Sequence, residues 1–335
     1  MPALRSAVSF HAMDDRVLVP PRPRARFPTT NVALFFATLG TTVWAGMLFS
    51  PAAADVRTFG ELFRLVGRAP DVLLEGLPFA LSLVGILFVH EMGHYVYARR
   101  ARVDTTLPYF IPVPFGVGTL GAVIRMRSAI PSRRALLEIG ASGPLAGLAL
   151  ALPLLAWGLL HSQIQSVPEA TSPSSPFGVF MAWLSGRPAG EDVGQAIHFG
   201  NSLITWAAQR LVFGELAPGT DVVLHPVATA ASLGLLVTAL NLVPAGQLDG
   251  GHVLYALLGR RRALLAAHVT STGLLLAGIF FSWSWLLWWF LTRFVVGLGH
   301  PAALVEEPLG PRQRAVAVLS LLLFFATFVP IPVSF

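Results

Sequence analysis

Val84-Gly85-Ile86-Leu87-Phe88-Val89-His90-Glu91-Met92-Gly93-His94-Tyr95-Val96 sets a His-Glu-x-x-His pattern inside an unbroken apolar run. On a helix, residues four apart stand on one face, so His90 and His94 can reach a single ion. Glu91, adjacent to the first imidazole, can approach a water bound to that ion and carry its proton. Ionisable residues in such a run are costly against lipid and normally face a bundle interior or a water-filled cavity. The stretch predicts a helix that crosses a bilayer and carries a buried metal site. The bland alternative is a pair of structural histidines beside a neutral glutamate.

The rest of the chain agrees with a membrane setting. Of 335 residues, 54% are hydrophobic and 12% charged, with mean hydropathy +0.67; a soluble domain carries about a quarter charged residues. Long apolar runs recur from residue 31 onward. With no cysteine in the chain, disulfides, thiolate metal sites and cysteine nucleophiles are all excluded. Any zinc must be held by His and carboxylate. All 23 basic residues are arginine, giving a net charge of +6. They cluster at the ends of apolar runs, where they orient spans, so no nucleic-acid partner is expected.

A span needs about 20 apolar residues, which predicts about seven transmembrane helices: 31–50, 74–98, 135–160, 226–258, 263–281, 284–298 and 315–333. The fourth is interrupted near Pro244–Gly251. Segments 175–186 and 196–213 are apolar but short, and read as interfacial or re-entrant. Residues 1–28, rich in Pro and Arg, read as a disordered cytoplasmic arm. Residues 29–258 read as a membrane catalytic core with an extracytoplasmic or interfacial insertion at 161–225, and 259–335 as C-terminal transmembrane helices. With the N-terminus inside, only Arg57, Arg64, Arg68, Arg187 and Arg210 fall outside and Arg293 falls within a span. That asymmetry supports a cytoplasmic N-terminus. Ala52-Ala53-Ala54 resembles a signal-peptidase site, but the preceding run is of spanning length and is read as retained.

Residues 107–128 break the helical pattern. Pro108, Pro112 and Pro114 interrupt any helix, and Gly116, Gly118 and Gly121 alternate with Phe115, Val117, Leu120, Val123 and Ile124. The segment predicts a re-entrant β-hairpin or loop near the active site. Such backbone is tolerated at membrane depth where it is buried in protein or lines a cavity.

Two histidines under-coordinate a catalytic zinc, which takes three protein ligands. Glu91, Glu138 and Asp249 are the acidic residues well inside apolar spans. Asp249 lies in Asn241-Leu242-Val243-Pro244-Ala245-Gly246-Gln247-Leu248-Asp249-Gly250-Gly251-His252, where Pro and Gly break the helix and free backbone that would line a cavity. Asp249 is the candidate third ligand. Its competing reading is a helix N-cap, and His252 and His268 are alternative ligands.

His90–His94 in a transmembrane helix, followed far downstream by Asn241, Pro244 and Leu248-Asp249-Gly250, resembles the site-2 proteases over about residues 75–258. The resemblance implies an intramembrane zinc metalloprotease with His90, His94 and Asp249 on one zinc ion per chain. It implies Glu91 as base and Asn241 as a contact to substrate or oxyanion. Gly140-Ala141-Ser142-Gly143-Pro144-Leu145-Ala146-Gly147 is similar to a family segment beside the site; read by itself it gives close helix packing through small residues. Residues 161–225 are too short for the PDZ domain of many bacterial members, and a nucleotide-binding tail is not expected. The pattern resembles bacterial and chloroplast-type members; without a convincing transit peptide, a bacterial inner membrane is expected. The implied partners are the bilayer and a transmembrane protein substrate. Two other readings compete. A metal transporter gives no reason for Glu91 beside the first ligand and often shows repeats, which this chain lacks. An inactive scaffold would have lost one of the four site residues.

Overall fold

The computed structural model describes residues 28–50, 53, 56, 59–166, 198–217, 219–299, 303–331 and 333–334. The arm at 1–27, the segment 175–186 and most of the Ala52–Ala54 tripeptide lie outside the described residues. Helix α1 (Thr29–Gly46) continues as a 3-10 turn to Phe49 and is followed by the short helices α2 (Phe59–Arg68) and α3 (Val72–Glu75). Next come α4 (Leu77–Arg100), the strands β1 (Tyr109–Pro112) and β2 (Thr119–Val123), and α5 (Arg133–Leu160). The outer connection holds β3 (Gln163–Ser166), β4 (His198–Phe199), α6 (Leu203–Phe213) and β5 (Thr220–Val223). Then follow α7 (Pro226–Asn241), α8 (Asp249–Leu258), α9 (Arg260–Phe280) and α10 (Trp283–Phe290), which runs into a π-helical turn at Leu291–Val296. Helix α11 (Pro311–Thr327) and β6 (Val333–Ser334) end the described chain.

Among the described residues, four helices are long and apolar enough to cross a membrane: α1 with its 3-10 extension, α4, α5 and α9. The 24 residues of α4 rise about 36 Å, beyond a hydrocarbon core of about 30 Å. The expected count of about seven is not reached, for local reasons. The run 226–258 divides into α7 and α8 around Pro244 and Gly246. In the run 284–298 the α-helix, Trp283–Phe290, is only eight residues long and gives way to the π turn. The last run stops as a helix at Thr327, just before Pro330, which disfavours helix there; farther on, β6 pairs with β4.

Helices α4, α5 and α7 form the centre. Phe79, Leu83, Val84 and Leu87 of α4 pack with Ala230 and Leu233 of α7 and with Phe110 of β1. Ile86 packs with Ala151, Leu155 and Leu159 of α5 and with Ala228, Ala231 and Leu235 of α7. Small residues on α7 let its backbone approach both neighbours closely. Helix α4 ends where Arg102 takes φ +58 and the Val103 N–H closes on the Ala98 carbonyl at 2.9 Å, a left-handed stop. Arg99 and Arg100 in its last turn complement the helix dipole.

Strands β1 and β2 form an antiparallel pair, Tyr109 opposite Val123 and Phe110 opposite Ala122, with an irregularity before Pro112. It packs on α1 and α4. Asn31 donates to the carbonyls of Leu107 and Pro108, 2.9 Å each. Thr41 donates to Gly118 O at 2.7 Å, and Phe35 meets Phe110 edge-on, centroids 5.2 Å apart.

Candidate active site

His90 and His94 occupy successive turns of α4 and are buried together with Glu91. The His94 ring is oriented by α5: its Nδ1 lies 2.7 Å from the Ile139 carbonyl. A carbonyl only accepts, so Nδ1 carries the hydrogen and Nε2 presents its lone pair. That lone pair faces His90 Nε2 at 3.2 Å.

Asp249 reaches the same point from the far end of the broken helix. After Asn241 the chain leaves the helix, and Gly246 takes φ +57, which a residue with a Cβ adopts only with strain. Leu248 then stands extended, and α8 starts at Asp249 without a side-chain cap. Asp249 is therefore the first helical residue, not the N-cap, and its carboxylate points at the histidines. Its Oδ2 lies 3.3 Å from His90 Nε2 and 3.2 Å from His94 Nε2.

The three donor atoms form a triangle with sides of 3.2, 3.2 and 3.3 Å. Tetrahedral zinc with ligand bonds of about 2.0–2.1 Å separates its donors by about 3.3 Å. The donor set and its spacing thus fit a zinc ion, with a fourth position left for water or substrate. Glu91 also offers an oxygen within 4.8 Å of both histidines. The triangle with Asp249 is the tighter set, so Glu91 stands beside the donors rather than among them. Asn241 places its amide nitrogen 3.1 Å from His90 Nε2, at the rim of the triangle.

Helix α5 backs this site with bare backbone. A Cβ at Gly143 would collide with the His94 imidazole, and one at Gly147 would stand 3.2 Å from His90 Nδ1. The small-residue stretch 140–147 is close helix packing, and what it packs against is the pair of imidazoles. Ser142 donates to the same Ile139 carbonyl at 2.8 Å. Glu138, the third acidic residue of the apolar runs, pairs with Arg134 one turn away at 2.7 Å.

The structure brings together His90, Glu91, His94, Asn241 and Asp249. His268 is exposed on α9, its Nδ1 bonded to Leu264 O, and does not join them. His252 is buried with its Cβ against the Gly140 backbone, outside the triangle. Sequence reasoning missed the Ile139 carbonyl, a backbone group without a residue signature. The four-residue spacing of Gly143 and Gly147, matching that of His90 and His94, was the available signal for it.

The model of peptidase family M50 matches residues 78–284. The chain is 33% identical over 270 residues to the probable zinc metalloprotease EGY2, chloroplastic, of Arabidopsis thaliana, covering 79% of this chain and 43% of that protein. It is 28% identical over 315 residues to the probable zinc metalloprotease EGY1, chloroplastic, of Oryza sativa subsp. japonica, covering 90% and 50%. It is 28% identical over 314 residues to the probable zinc metallopeptidase EGY3, chloroplastic, of Arabidopsis thaliana, covering 90% and 52%. The chain thus spans about half the length of these curated relatives. No solved structure matches it. The expectation of a bacterial inner membrane is overturned by these relatives, which are plant proteins named as chloroplastic.

Proposed function

This chain belongs to peptidase family M50, the site-2 proteases, and on that premise we propose that it is an intramembrane zinc metalloprotease. It hydrolyses a peptide bond in or near a transmembrane segment of another membrane protein, in the manner of regulated intramembrane proteolysis. The observation that carries this reading is the triangle of His90 Nε2, His94 Nε2 and Asp249 Oδ2, with sides of 3.2–3.3 Å, buried in apolar helices and flanked by a carboxylate outside it.

In this reading His90, His94 and Asp249 hold one zinc per chain. When bound, zinc supplies Lewis acidity that brings deprotonation of a water toward neutral pH. Glu91 accepts the proton of the attacking water and later gives it to the leaving amine. Ile139 keeps His94 in the ligating tautomer, a backbone role that orients metal-binding histidines generally. Asn241, at the rim, offers an amide donor to the substrate carbonyl as charge builds on its oxygen.

A helix hides its peptide bonds, so the substrate must unwind locally. The β1–β2 hairpin offers somewhere for the freed backbone to go. Thr106 N–H bonds to Arg125 O across the hairpin, so by alternation Ala122 and Ile124 face away from β1. The sheet has two strands, leaving that edge to accept an extended peptide by strand addition. We read the hairpin as re-entrant, residues 29–258 as the catalytic core, 161–225 as its outer insertion and 259–335 as the C-terminal membrane helices.

Glu91→Gln tests the activity. Produced in native membranes, the variant should retain metal and accumulate uncleaved membrane protein that the wild type shortens. Cleavage at the wild-type rate would overturn the assignment.

A further inference from the structure

Helix α8 carries Asp249 as its first residue and is only ten residues long. A helix that short depends on what holds it from outside. Its last turn is held by α5. Arg133, the first residue of α5, donates from Nε and Nη2 to the Ala256 carbonyl, at 3.1 and 2.5 Å. That carbonyl is among the last four of α8, which have no partner within the helix. A cationic fork satisfies it with charge-assisted bonds and complements the negative end of the helix dipole. The Arg133 side chain is 16% exposed, so water competes little for it.

The fork is itself held. Residues 303–309 run across the start of α5: the N–H groups of Leu304 and Val305 donate to Ile130 O and Pro131 O, and the Arg133 N–H donates to Val305 O, at 3.1–3.2 Å. This sets Glu306 beside the guanidinium, its Oε2 3.8 Å from Nε. Tyr255, buried on α8 next to Ala256, donates to the other Glu306 oxygen. Arg133, Glu306 and the last turn of α8 thus close into one link.

The opposite end of the same face is set by contact. Seven residues on from Arg133, two turns along α5, Gly140 lies against α8: a Cβ there would stand 2.7 Å from His252 Cβ and 3.2 Å from Asp249 O. Seven residues back from Ala256 is Asp249. The two helices are therefore antiparallel and meet at both ends of equal spans, about 10 Å each. Ile139, beside Gly140, gives its carbonyl to His94. The first two turns of α5 thereby fix the ring of His94 and the axial position of the helix that brings Asp249 to it.

We infer that Arg133 is a positioning residue for the metal centre: by anchoring Ala256 it sets the register of α8 on α5, and so the reach of Asp249 Oδ2 to the two imidazoles. This rests on the reading of Asp249 as a zinc ligand. It gives a task to an arginine that sequence reading places among the charges that orient spans.

The test uses the full chain in lipid nanodiscs. Zinc affinity is measured by competition against a fluorescent chelator, beside the visible spectrum of the cobalt-loaded protein and Tm. The variants are Asp249→Ala, Arg133→Met, Arg133→Lys and Leu155→Ala. Arg133→Met keeps the bulk and removes the donors. It should bind zinc about tenfold more weakly, the low end of what disturbing the groups that orient metal ligands costs. Its cobalt spectrum should differ from that of wild type, because Asp249 no longer meets the ion at the same place. Arg133→Lys keeps one charged donor in place of the fork and should lie between. Leu155→Ala opens a cavity in the core farther along α5, lowering Tm while leaving zinc affinity and the cobalt spectrum unchanged. If Asp249→Ala binds zinc as tightly as wild type, the assignment of Asp249 as a ligand itself fails. If wild type outbinds Asp249→Ala and Arg133→Met matches wild type in affinity and spectrum, the role of Arg133 is overturned. It is equally overturned if Leu155→Ala loses as much affinity as Arg133→Met at a comparable loss of Tm. Should Arg133→Met not fold, Arg133→Lys decides by the same two readouts.

Discussion

His94 donates its Nδ1 hydrogen to the carbonyl of Ile139, 2.7 Å away on the neighbouring helix, and so points its Nε2 at Asp249. That contact exists only because α5 lies flush on α4, which in turn requires the absence of side chains at Gly143 and Gly147. The ring of His94 occupies the space a Gly143 Cβ would take, while the Gly147 position leaves 3.2 Å to His90.

Gly143→Ala should accordingly weaken zinc binding, and Gly147→Ala should weaken it less. Disturbing the partners that orient metal ligands costs about ten- to a hundredfold in affinity. Gly143→Ala should fall in that range, because the imidazole must leave its bond to Ile139. At Gly147 a ring shift of a few tenths of an ångström suffices. Competition against a fluorescent zinc chelator in detergent measures both. Equal, wild-type affinities would show that α5 does not position the ring.

Asp249 and Glu91 should separate cleanly. Asp249→Ala removes one corner of the triangle and should abolish stoichiometric zinc. Glu91→Gln leaves the corners intact, so zinc should stay while cleavage falls by about 10²–10⁴, the usual worth of a proton-transfer group. Metal analysis beside a cleavage assay decides it. Loss of zinc from Glu91→Gln would place Glu91 among the ligands instead.

These residues could be read from sequence because their signal is local. His90, Glu91 and His94 are set by helical spacing, and Pro244 and Gly246 announce the break that carries Asn241 and Asp249 inward. Other features leave no such mark. An apolar run does not say whether it continues as one helix, so neither the π turn after α10 nor the stop at Thr327 is legible in it. Asn31 meets Leu107 and Pro108 across more than seventy residues, and nothing in its own neighbourhood in the sequence points there. A backbone partner such as Ile139 O belongs to no residue type.

Metal removal should lower stability, because the site then gathers two imidazoles and a carboxylate around no cation. Chelation should reduce Tm, and stoichiometric zinc or cobalt should restore it. Magnesium and calcium should not, since they favour all-oxygen shells. Thermal unfolding in detergent reads this out. An unchanged Tm on complete metal removal, or full recovery with magnesium, would count against a two-imidazole, one-carboxylate site.

A last expectation concerns the opposite end of α5. The register Gln163 opposite Val223 extends to set His161 opposite His225, and their rings lie 6.1 Å apart beside Trp157. His225 Nδ1 accepts the Val227 N–H and caps α7, the helix that ends in Asn241. Burial first, and His161 second, pull the His225 pKa below the usual histidine value. Because the folded state holds its proton less tightly than the unfolded chain, stability should rise with pH. The contribution is complete above the unfolded value of about 6.5 and is lost as pH falls below it. Protonation also takes away the capping acceptor and sets a positive charge at a helix N-terminus, where it is unfavourable. His225→Asn caps without titrating, so its Tm should fall less than that of wild type between pH 7 and pH 5. His161→Gln, which removes the second cause of the His225 shift, should make the wild-type decline smaller without eliminating it. Identical pH profiles for wild type and His225→Asn would show that the His225 cap plays no part in acid sensitivity.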